Sequence, residues 1–152
     1  MKRATLFTLV AMLLLPVLAW AQSGGGEEDA VENVVVNGYI KAIYLLGDTG
    51  MIRKNWHEDC DIVYFEPKSR TLIKVPAAQY FVDHFAREPG PLNEHISYDF
   101  TGIQVTGYAA VATVEIFNED RSQHIYTDYL SLYKFPDGWR IVSKTFYAYP
   151  KE

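Results

Sequence analysis

The sequence predicts an α+β domain, with helices in the first part and a long antiparallel meander in the second. Apolar residues recur at helical spacing in the first part, which also contains one short predicted hairpin. After Pro91, strand-like stretches follow one another with turn-forming residues between them. Helices that precede a meander pack on one face of the sheet, and a twisted sheet of this length curves around them. The space between them is then either core or pocket.

The first 21 residues have the features of a cleavable secretory signal peptide. Lys2 and Arg3 form a positive head, an apolar run follows, and Ala19 and Ala21 place small residues before the expected cleavage site. The apolar run is shorter than the roughly 20 residues that a membrane span needs. We expect residues 1–21 to be removed, leaving no membrane anchor and a protein that is periplasmic or secreted.

The domain is expected to begin after a short polar leader. Residues 22–29 contain three glycines and three acids, have nothing to bury, and predict a flexible leader. The domain then spans residues 30–152. Apolar side chains three and four positions apart predict a first helix from about residue 30 to residue 46, and Gly47 stands where a helix C-cap belongs.

Two shorter helices and a hairpin are predicted next. Asp48 or Thr49 can cap a second helix, which carries Met51, Ile52 and Trp56. Strands follow over residues 61–66 and 71–75, and a third helix begins near Pro76 and ends at Pro89-Gly90-Pro91. Four longer strands are then expected at about 94–106, 108–118, 122–135 and 139–148.

The turn of the last hairpin predicts a register. Pro136 suits the second position of a type I turn, and Gly138 suits the left-handed residue that follows the turn. A three-residue loop there pairs Lys134 with Arg140, Leu132 with Val142, Leu130 with Lys144, and Asp128 with Phe146.

Charge and cysteine content limit the function classes. The chain has 14 basic and 19 acidic residues, and loss of residues 1–21 changes the net charge from −5 to −7. An acidic chain without a basic cluster is not expected to bind nucleic acid. Cys60 is the only cysteine, so no disulfide forms within the chain. A buried hydrophobe is favoured for it over a disulfide to a second chain or a nucleophile.

Several segments resemble the putative lumazine-binding family of the nuclear-transport-factor-2-like (SnoaL-like) superfamily. The strongest similarity lies in Asp128–Leu132 and Pro136–Phe146, with Gly47-Asp48 and His57–Cys60 at matching earlier positions. In the last of these, Glu58 and Cys60 depart from the His-Pro-Asp-Ala-like run of such proteins. The resemblance implies a cone-shaped fold with three N-terminal helices on a curved antiparallel sheet. Its relatives include ketosteroid isomerase, polyketide cyclases and dehydratases, beside many members without known catalysis.

Asp128 is the first candidate for a functional residue. It shares a strand face with Leu130 and Leu132, and a carboxylate on an apolar face needs a partner or a function. Lys144 is its diagonal neighbour on the next strand, within reach of an ion pair. The pair either lines a pocket, where Asp128 binds a ligand or acts as a general acid or base, or is a structural or solvent-exposed pair.

Other candidate ligand-binding residues are aromatic, together with one histidine. Small-molecule sites are mostly apolar and aromatic with a few polar groups, although such rings more often fill a core. His57 ends the second predicted helix near the expected pocket mouth, and a helix-end role is its alternative. The candidates beside Asp128 and Lys144 are His57, Tyr39, Trp56, Tyr80 and Phe146.

No metal or cofactor is predicted. The four histidines, His57, His84, His95 and His124, show none of the spacings typical of metal ligands. The function favoured is an exported protein that binds a small, partly apolar molecule without turnover. The alternatives are a cofactor-independent isomerase or dehydratase that uses Asp128, and a homodimeric interaction module with a filled pocket and sheets packed face to face.

Overall fold

The structure, a computed structural model, describes residues 24–150. The predicted signal peptide lies outside these residues, so export stays a prediction. Among the residues described, no helix has the length and apolar character needed to cross a membrane.

The first helical element begins earlier than predicted and changes type. Helix α1 spans Gly24–Val35 and continues without a break as a π-helix over Val36–Leu46. Residues 24–29 of the expected leader are therefore helical. Glu27 explains the difference, because it accepts a 2.8 Å hydrogen bond from Nε1 of Trp139 and forms an ion pair with Lys134.

The π-helix ends at a tight contact with a distant loop. Gly47 has a positive φ of 66° and donates its backbone N–H to the carbonyl of Ala42, which is the i−5 bond of a π-helix. A Cβ atom at Gly47 would lie 2.2 Å from the carbonyl oxygen of Gly90. Leu92 and the residue after it donate backbone N–H groups to the last π-helical turn. The loop after the third helix is therefore attached to the end of the π-helix.

The two shorter helices lie close to their predicted positions. Helix α2 spans Thr49–Asn55, and the Asp48 carboxylate caps it by accepting two backbone N–H bonds of 2.8 and 3.0 Å. Trp56, predicted in this helix, instead begins the first strand because its backbone is extended. Helix α3 spans Ala77–Arg87, and Pro76, predicted in its first turn, is instead the N-cap residue just before it.

The helices pack against one six-stranded sheet in which the predicted hairpin and the meander are joined. Strand β1 pairs antiparallel with β2 and parallel with β6. The sheet is therefore mixed, whereas a purely antiparallel sheet was predicted. Curved and unclosed, it confirms the predicted α+β architecture. The strands are β1 (Trp56–Glu66), β2 (Thr71–Pro76), β3 (Ile96–Thr106), β4 (Ala109–Asn118), β5 (His124–Phe135) and β6 (Gly138–Ala148), in the order β2-β1-β6-β5-β4-β3.

The predicted register of the last hairpin is right at the far end and wrong near the turn. Leu130 pairs with Lys144 and Asp128 with Phe146, as predicted, whereas Leu132 pairs with Ile141 and Lys134 with Trp139. The loop contains only Pro136 and Asp137, and a bulge at Val142 restores the predicted pairing beyond it. The bulge therefore keeps Asp128 and Lys144 on the same face of the sheet.

Candidate functional site

The candidate site is built on a buried ion pair between β5 and β6. Nζ of Lys144 lies 2.6 Å from Oδ1 of Asp128, and their side chains are 7% and 0% exposed. Both side chains point to the helix-covered face, because their strand positions alternate with outward-facing residues. Oδ1 has no other polar partner among the described residues. The predicted contact is therefore present, although its role in ligand binding stays a prediction.

Two tyrosines of the π-helix complete the buried network. The Tyr39 hydroxyl donates a 2.6 Å hydrogen bond to Oδ2 of Asp128 and lies 3.2 Å from the Tyr44 hydroxyl. The two residues are five positions apart, the spacing at which a π-helix forms its backbone bonds. The π-helical segment thus brings the Tyr39 hydroxyl to the carboxylate and the Tyr44 hydroxyl to that of Tyr39.

A neighbouring tryptophan fixes the orientation of this helix. Nε1 of Trp56 donates a 2.7 Å hydrogen bond to the carbonyl of Gly38, and its ring meets Tyr39 edge to face at 6.0 Å. A Cβ atom at Gly38 would lie 2.2 Å from Cβ of Asn55, so α2 approaches the π-helix too closely for any side chain there.

Burial and the carboxylate shift the titration of the network. Burial raises the pKa of Tyr39 well above the ordinary tyrosine value, and the charge of Asp128 raises it further. Burial also raises the pKa of Tyr44, again with a contribution from Asp128. For Lys144, burial lowers the pKa, while Asp128 opposes the shift without cancelling it. Both tyrosines therefore stay protonated at neutral pH.

An aromatic cavity opens beside this network. Its volume is about 330 Å³, within the range of small-molecule pockets. Lys144 is the only residue with a charged side chain on its described wall, and its Nζ lies 4.2 Å from the centroid of the Phe146 ring. The wall residues are Tyr44, Ile62, Tyr64, Val75, Tyr80, Phe81, Leu92, Tyr126, Lys144 and Phe146.

The structure divides the predicted site residues into three groups. Lys144, Tyr80 and Phe146 line the aromatic cavity. Tyr39 and Asp128 lie behind its wall, where both contact Lys144 and the Tyr39 hydroxyl donates to Asp128. The remaining two, His57 and Trp56, line a different cavity.

The second cavity is lined by Trp56, whose ring centroid lies 5.8 Å from that of Phe81 on the wall of the aromatic cavity. It has a volume of about 270 Å³ and polar walls that include Arg53, Glu58 and Arg140. The His57 ring stacks on Phe135 at 4.9 Å. Helix α2 ends at Asn55, so Trp56 and His57 belong to β1. His57 therefore lines the second cavity and not the aromatic cavity.

Several cavity residues were missed by sequence reasoning. Tyr64 and Tyr126 face the cavity from β1 and β5, and their rings lie 5.3 and 5.8 Å from Phe146. Tyr126 could have been predicted from the sequence, because it lies two residues before Asp128 and therefore on the same strand face. Tyr64 could not, because only the parallel pairing of β1 with β6 brings it close to Phe146.

Cys60 is buried, as the favoured interpretation predicted. Burial raises the pKa of its thiol to about 12. The described residues contain no group of three or more His, Cys, Asp or Glu side chains arranged to hold a metal ion.

Comparison with known proteins identifies the family. Residues 26–147 match the family described as "Putative lumazine-binding". The chain belongs to this family. The match extends from α1 to β6 and so includes the buried network and the cavity walls, and it confirms the resemblance seen in the sequence. No curated protein matches the chain.

Solved structures show the fold. An NTF2-like protein of unknown function from Methylobacillus flagellatus is 22% identical, with a TM-score of 0.66 over 85% of this chain and 97% of that one. One from Shewanella baltica is 18% identical, with a TM-score of 0.66 over 83% and 96%. A putative dehydratase of the NTF2-like family from Streptomyces avermitilis is 14% identical, with a TM-score of 0.55 over 83% and 98%. The domain therefore has the nuclear-transport-factor-2-like fold.

Proposed function

We propose that the protein binds one small, partly apolar molecule in the aromatic cavity and does so outside the cytoplasm. The observation that carries the proposal is a cavity of about 330 Å³ whose described wall is aromatic and aliphatic except for Lys144. Such a wall encloses a flat apolar body, and one ammonium group supplies a directional contact. Membership of a family named for ligand binding supports the same class of function.

The charge of the site favours an uncharged ligand that carries a hydrogen-bond acceptor. The positive charge of Lys144 is already balanced by Asp128 at 2.6 Å. A ligand carboxylate would have to compete with that carboxylate for the same ammonium group in a site that is largely removed from water. A carbonyl oxygen accepts a hydrogen bond from Nζ without adding charge.

The signal-peptide pattern of residues 1–21 supports a location in the periplasm or outside the cell. Fractionation of the native host followed by measurement of the intact mass tests this part. The protein is expected in the exported fraction with a mass that lacks residues 1–21. Full-length protein in the cytoplasmic fraction would contradict it.

The two alternatives have weaker support. Asp128 lies behind the cavity wall, so it can exchange protons with a ligand only at the position of Lys144 Nζ and not elsewhere in the cavity, as a general acid or base acting on an unattached ligand would need. A homodimeric interaction module is supported by exposed tyrosines on the opposite sheet face, where Tyr129, Tyr133 and Tyr147 are 48%, 52% and 57% exposed. That alternative also requires a filled pocket, and the aromatic cavity is open.

Native mass spectrometry of the protein purified from its own host tests the binding proposal. We expect the wild-type protein to retain a small molecule, and the measurement gives its mass. Phe146 and Tyr147 supply matched variants, because these neighbours on β6 face the cavity and the outer surface respectively. Phe146→Ala should lose most of the bound molecule, and Tyr147→Ala should keep it.

Two other results would contradict the binding proposal. Equal retention in Phe146→Ala and Tyr147→Ala would place the molecule outside the cavity. An empty wild-type dimer that becomes monomeric in Tyr147→Ala would favour the interaction module.

A further inference from the structure

Lys144 combines three features that the binding proposal alone does not require. Its side chain lines the aromatic cavity, it is 7% exposed, and it has an acidic partner at 2.6 Å. A hydrogen-bond donor for a neutral ligand needs none of this burial, and a hydroxyl group would serve at lower cost. A buried amine in an apolar cavity beside a proton acceptor has the arrangement of a nucleophile.

We propose that Lys144 forms a reversible imine with the carbonyl group of a flat, apolar aldehyde or ketone bound in the aromatic cavity. This inference rests on the proposed function, because it assigns the chemical class of the ligand of that same cavity. It adds a covalent step to the binding.

The first requirement is a neutral amine, which the burial of Lys144 favours and the charge of Asp128 opposes. Oδ1 of Asp128, 2.6 Å from Nζ, is placed to accept a proton from the ammonium group. Burial lowers the pKa of Lys144 and so increases the neutral fraction. The Tyr39 hydroxyl, which donates to Oδ2, keeps the carboxylate in position while Oδ1 exchanges the proton.

The second requirement is space for a carbonyl compound next to Nζ. The Phe146 ring lies 4.2 Å from Nζ and forms part of the cavity wall, so a flat ligand that stacks on this ring brings its carbonyl carbon close to the amine. Tyr64 and Tyr126 contact Phe146 from the neighbouring strands and hold its ring in place. A ligand stacked on a fixed ring keeps its carbonyl carbon near the amine, which favours the condensation.

The step balances with the groups present. Lys144 transfers one proton to Asp128, and its nitrogen lone pair forms a bond to the carbonyl carbon. Proton transfer from nitrogen to oxygen gives a neutral carbinolamine. The protonated Asp128 then donates its proton to the hydroxyl group, which leaves as water while the nitrogen lone pair forms the C=N bond. The iminium ion keeps one positive charge, and the Asp128 carboxylate remains as its counter-ion.

Reductive trapping tests the inference on the folded full-length domain. The probe is cinnamaldehyde with sodium cyanoborohydride, which converts an imine to a stable secondary amine, and peptide mass mapping locates the product. We expect Lys144 to be labelled faster at neutral pH than the exposed Lys41 and Lys54, because the cavity holds the aldehyde next to its Nζ and burial lowers its pKa. Labelling of Lys144 no faster than these two would overturn the inference.

Matched variants and a second ligand separate the two proposals. Phe146→Ala should slow labelling of Lys144, and Tyr147→Ala should not. Lys144→Arg keeps the charge and removes the nucleophile, so only slow labelling of exposed lysines should remain. Cinnamyl alcohol has the same shape but no carbonyl group, and calorimetry measures its non-covalent binding.

Each combination of results has one meaning. Binding of the alcohol without labelling of Lys144 rejects the imine and leaves the binding proposal intact. Neither binding nor labelling rejects the imine for the class of ligand that it names. Native mass spectrometry then decides separately whether the cavity binds another kind of molecule.

Discussion

Nζ of Lys144 lies 2.6 Å from Oδ1 of Asp128, and both side chains are removed from solvent between the sheet and the π-helix. Two opposite charges in such a place are costly to desolvate, and each depends on the other. The pair therefore acts as one unit in stability, and its ammonium group is the only charged group on the described wall of the cavity.

Loss of one member of this pair is expected to be worse than loss of both. Lys144→Met leaves Asp128 buried and unpaired, at a cost of about 3–5 kcal/mol in the free energy of unfolding. The double variant Lys144→Met with Asp128→Asn leaves no buried charge, and the new amide oxygen can still accept from Tyr39. Urea denaturation of the wild type, both single variants and the double variant measures the coupling. A double variant as unstable as the sum of the single variants would show that the two residues act independently.

The two tyrosine hydroxyls should contribute unequally. Tyr39→Phe removes a 2.6 Å hydrogen bond to a buried carboxylate and should cost about 1.5–3 kcal/mol. Tyr44→Phe removes a 3.2 Å contact between hydroxyls and should cost less. Tyr147→Phe, on the exposed face, is the control and should change the urea midpoint very little. Equal effects of Tyr39→Phe and Tyr44→Phe would contradict the central position of Asp128.

The raised pKa values of Tyr39 and Tyr44 predict alkaline destabilisation. Unfolded tyrosines lose their protons near pH 10, whereas the folded protein holds these two protons to higher pH. Stability from the tyrosines is therefore complete below about pH 10 and falls as pH rises above that value. The lowered pKa of Lys144 acts in the opposite direction, since its contribution grows as pH rises towards about 10.5, where an unfolded lysine loses its proton.

Urea midpoints measured across alkaline pH test this expectation. The double variant Tyr39→Phe with Tyr44→Phe should lose less stability above pH 10 than the wild type does, although it is less stable at neutral pH. Parallel curves for the two proteins would show that both hydroxyls titrate normally in the folded state.

The close approach of Gly47 to the loop after α3 can be tested with a pair of glycine substitutions. Gly47 and Gly107 have similar φ angles of 66° and 60°, but a Cβ atom meets the Gly90 carbonyl oxygen only at Gly47. Gly107→Ala should cost ~1–2 kcal/mol for its backbone conformation. Gly47→Ala adds a backbone clash and should cost about 4 kcal/mol or more. Equal costs, measured by thermal unfolding, would place Gly90 farther from Gly47.

Much of the fold could be predicted because local patterns and tertiary packing agree. Asp48 caps α2, Pro76 precedes α3, and the turn at Pro136 joins the last two strands, each for a reason visible within a few residues. The start of α1 could not be predicted in the same way. Glu27 gains its partners Lys134 and Trp139 from residues more than 100 positions away.

The candidate site was predictable where strand alternation applied. Asp128 lies two residues before Leu130, which pairs with Lys144, so Asp128 and Lys144 were expected on one face of the sheet. The structure brings their side chains into contact. Sequence alone did not show that Asp128 lies behind the cavity wall, because this depends on the π-helix. A helical spacing of three and four predicts an α-helix, in which Tyr39 and Tyr44 would not share a direction.

The predicted place of His57 at the end of α2 was wrong for a related reason. One residue decides whether Trp56 ends a helix or begins a strand, and helix ends are the least certain part of a periodic pattern. With Trp56 in β1, His57 stacks on Phe135 and faces the second cavity.

The most direct test of the central claim is NMR of the protein with selectively labelled isoleucine methyl groups, titrated with the small molecule that native mass spectrometry identifies. Ile62 lines the aromatic cavity, whereas Ile103 on β3 does not. A molecule bound against Lys144 should shift the Ile62 signal, leave Ile103 unchanged, and lose its effect on Ile62 in Phe146→Ala. Saturable binding that leaves the Ile62 signal in place would contradict the assignment of this cavity as the binding site.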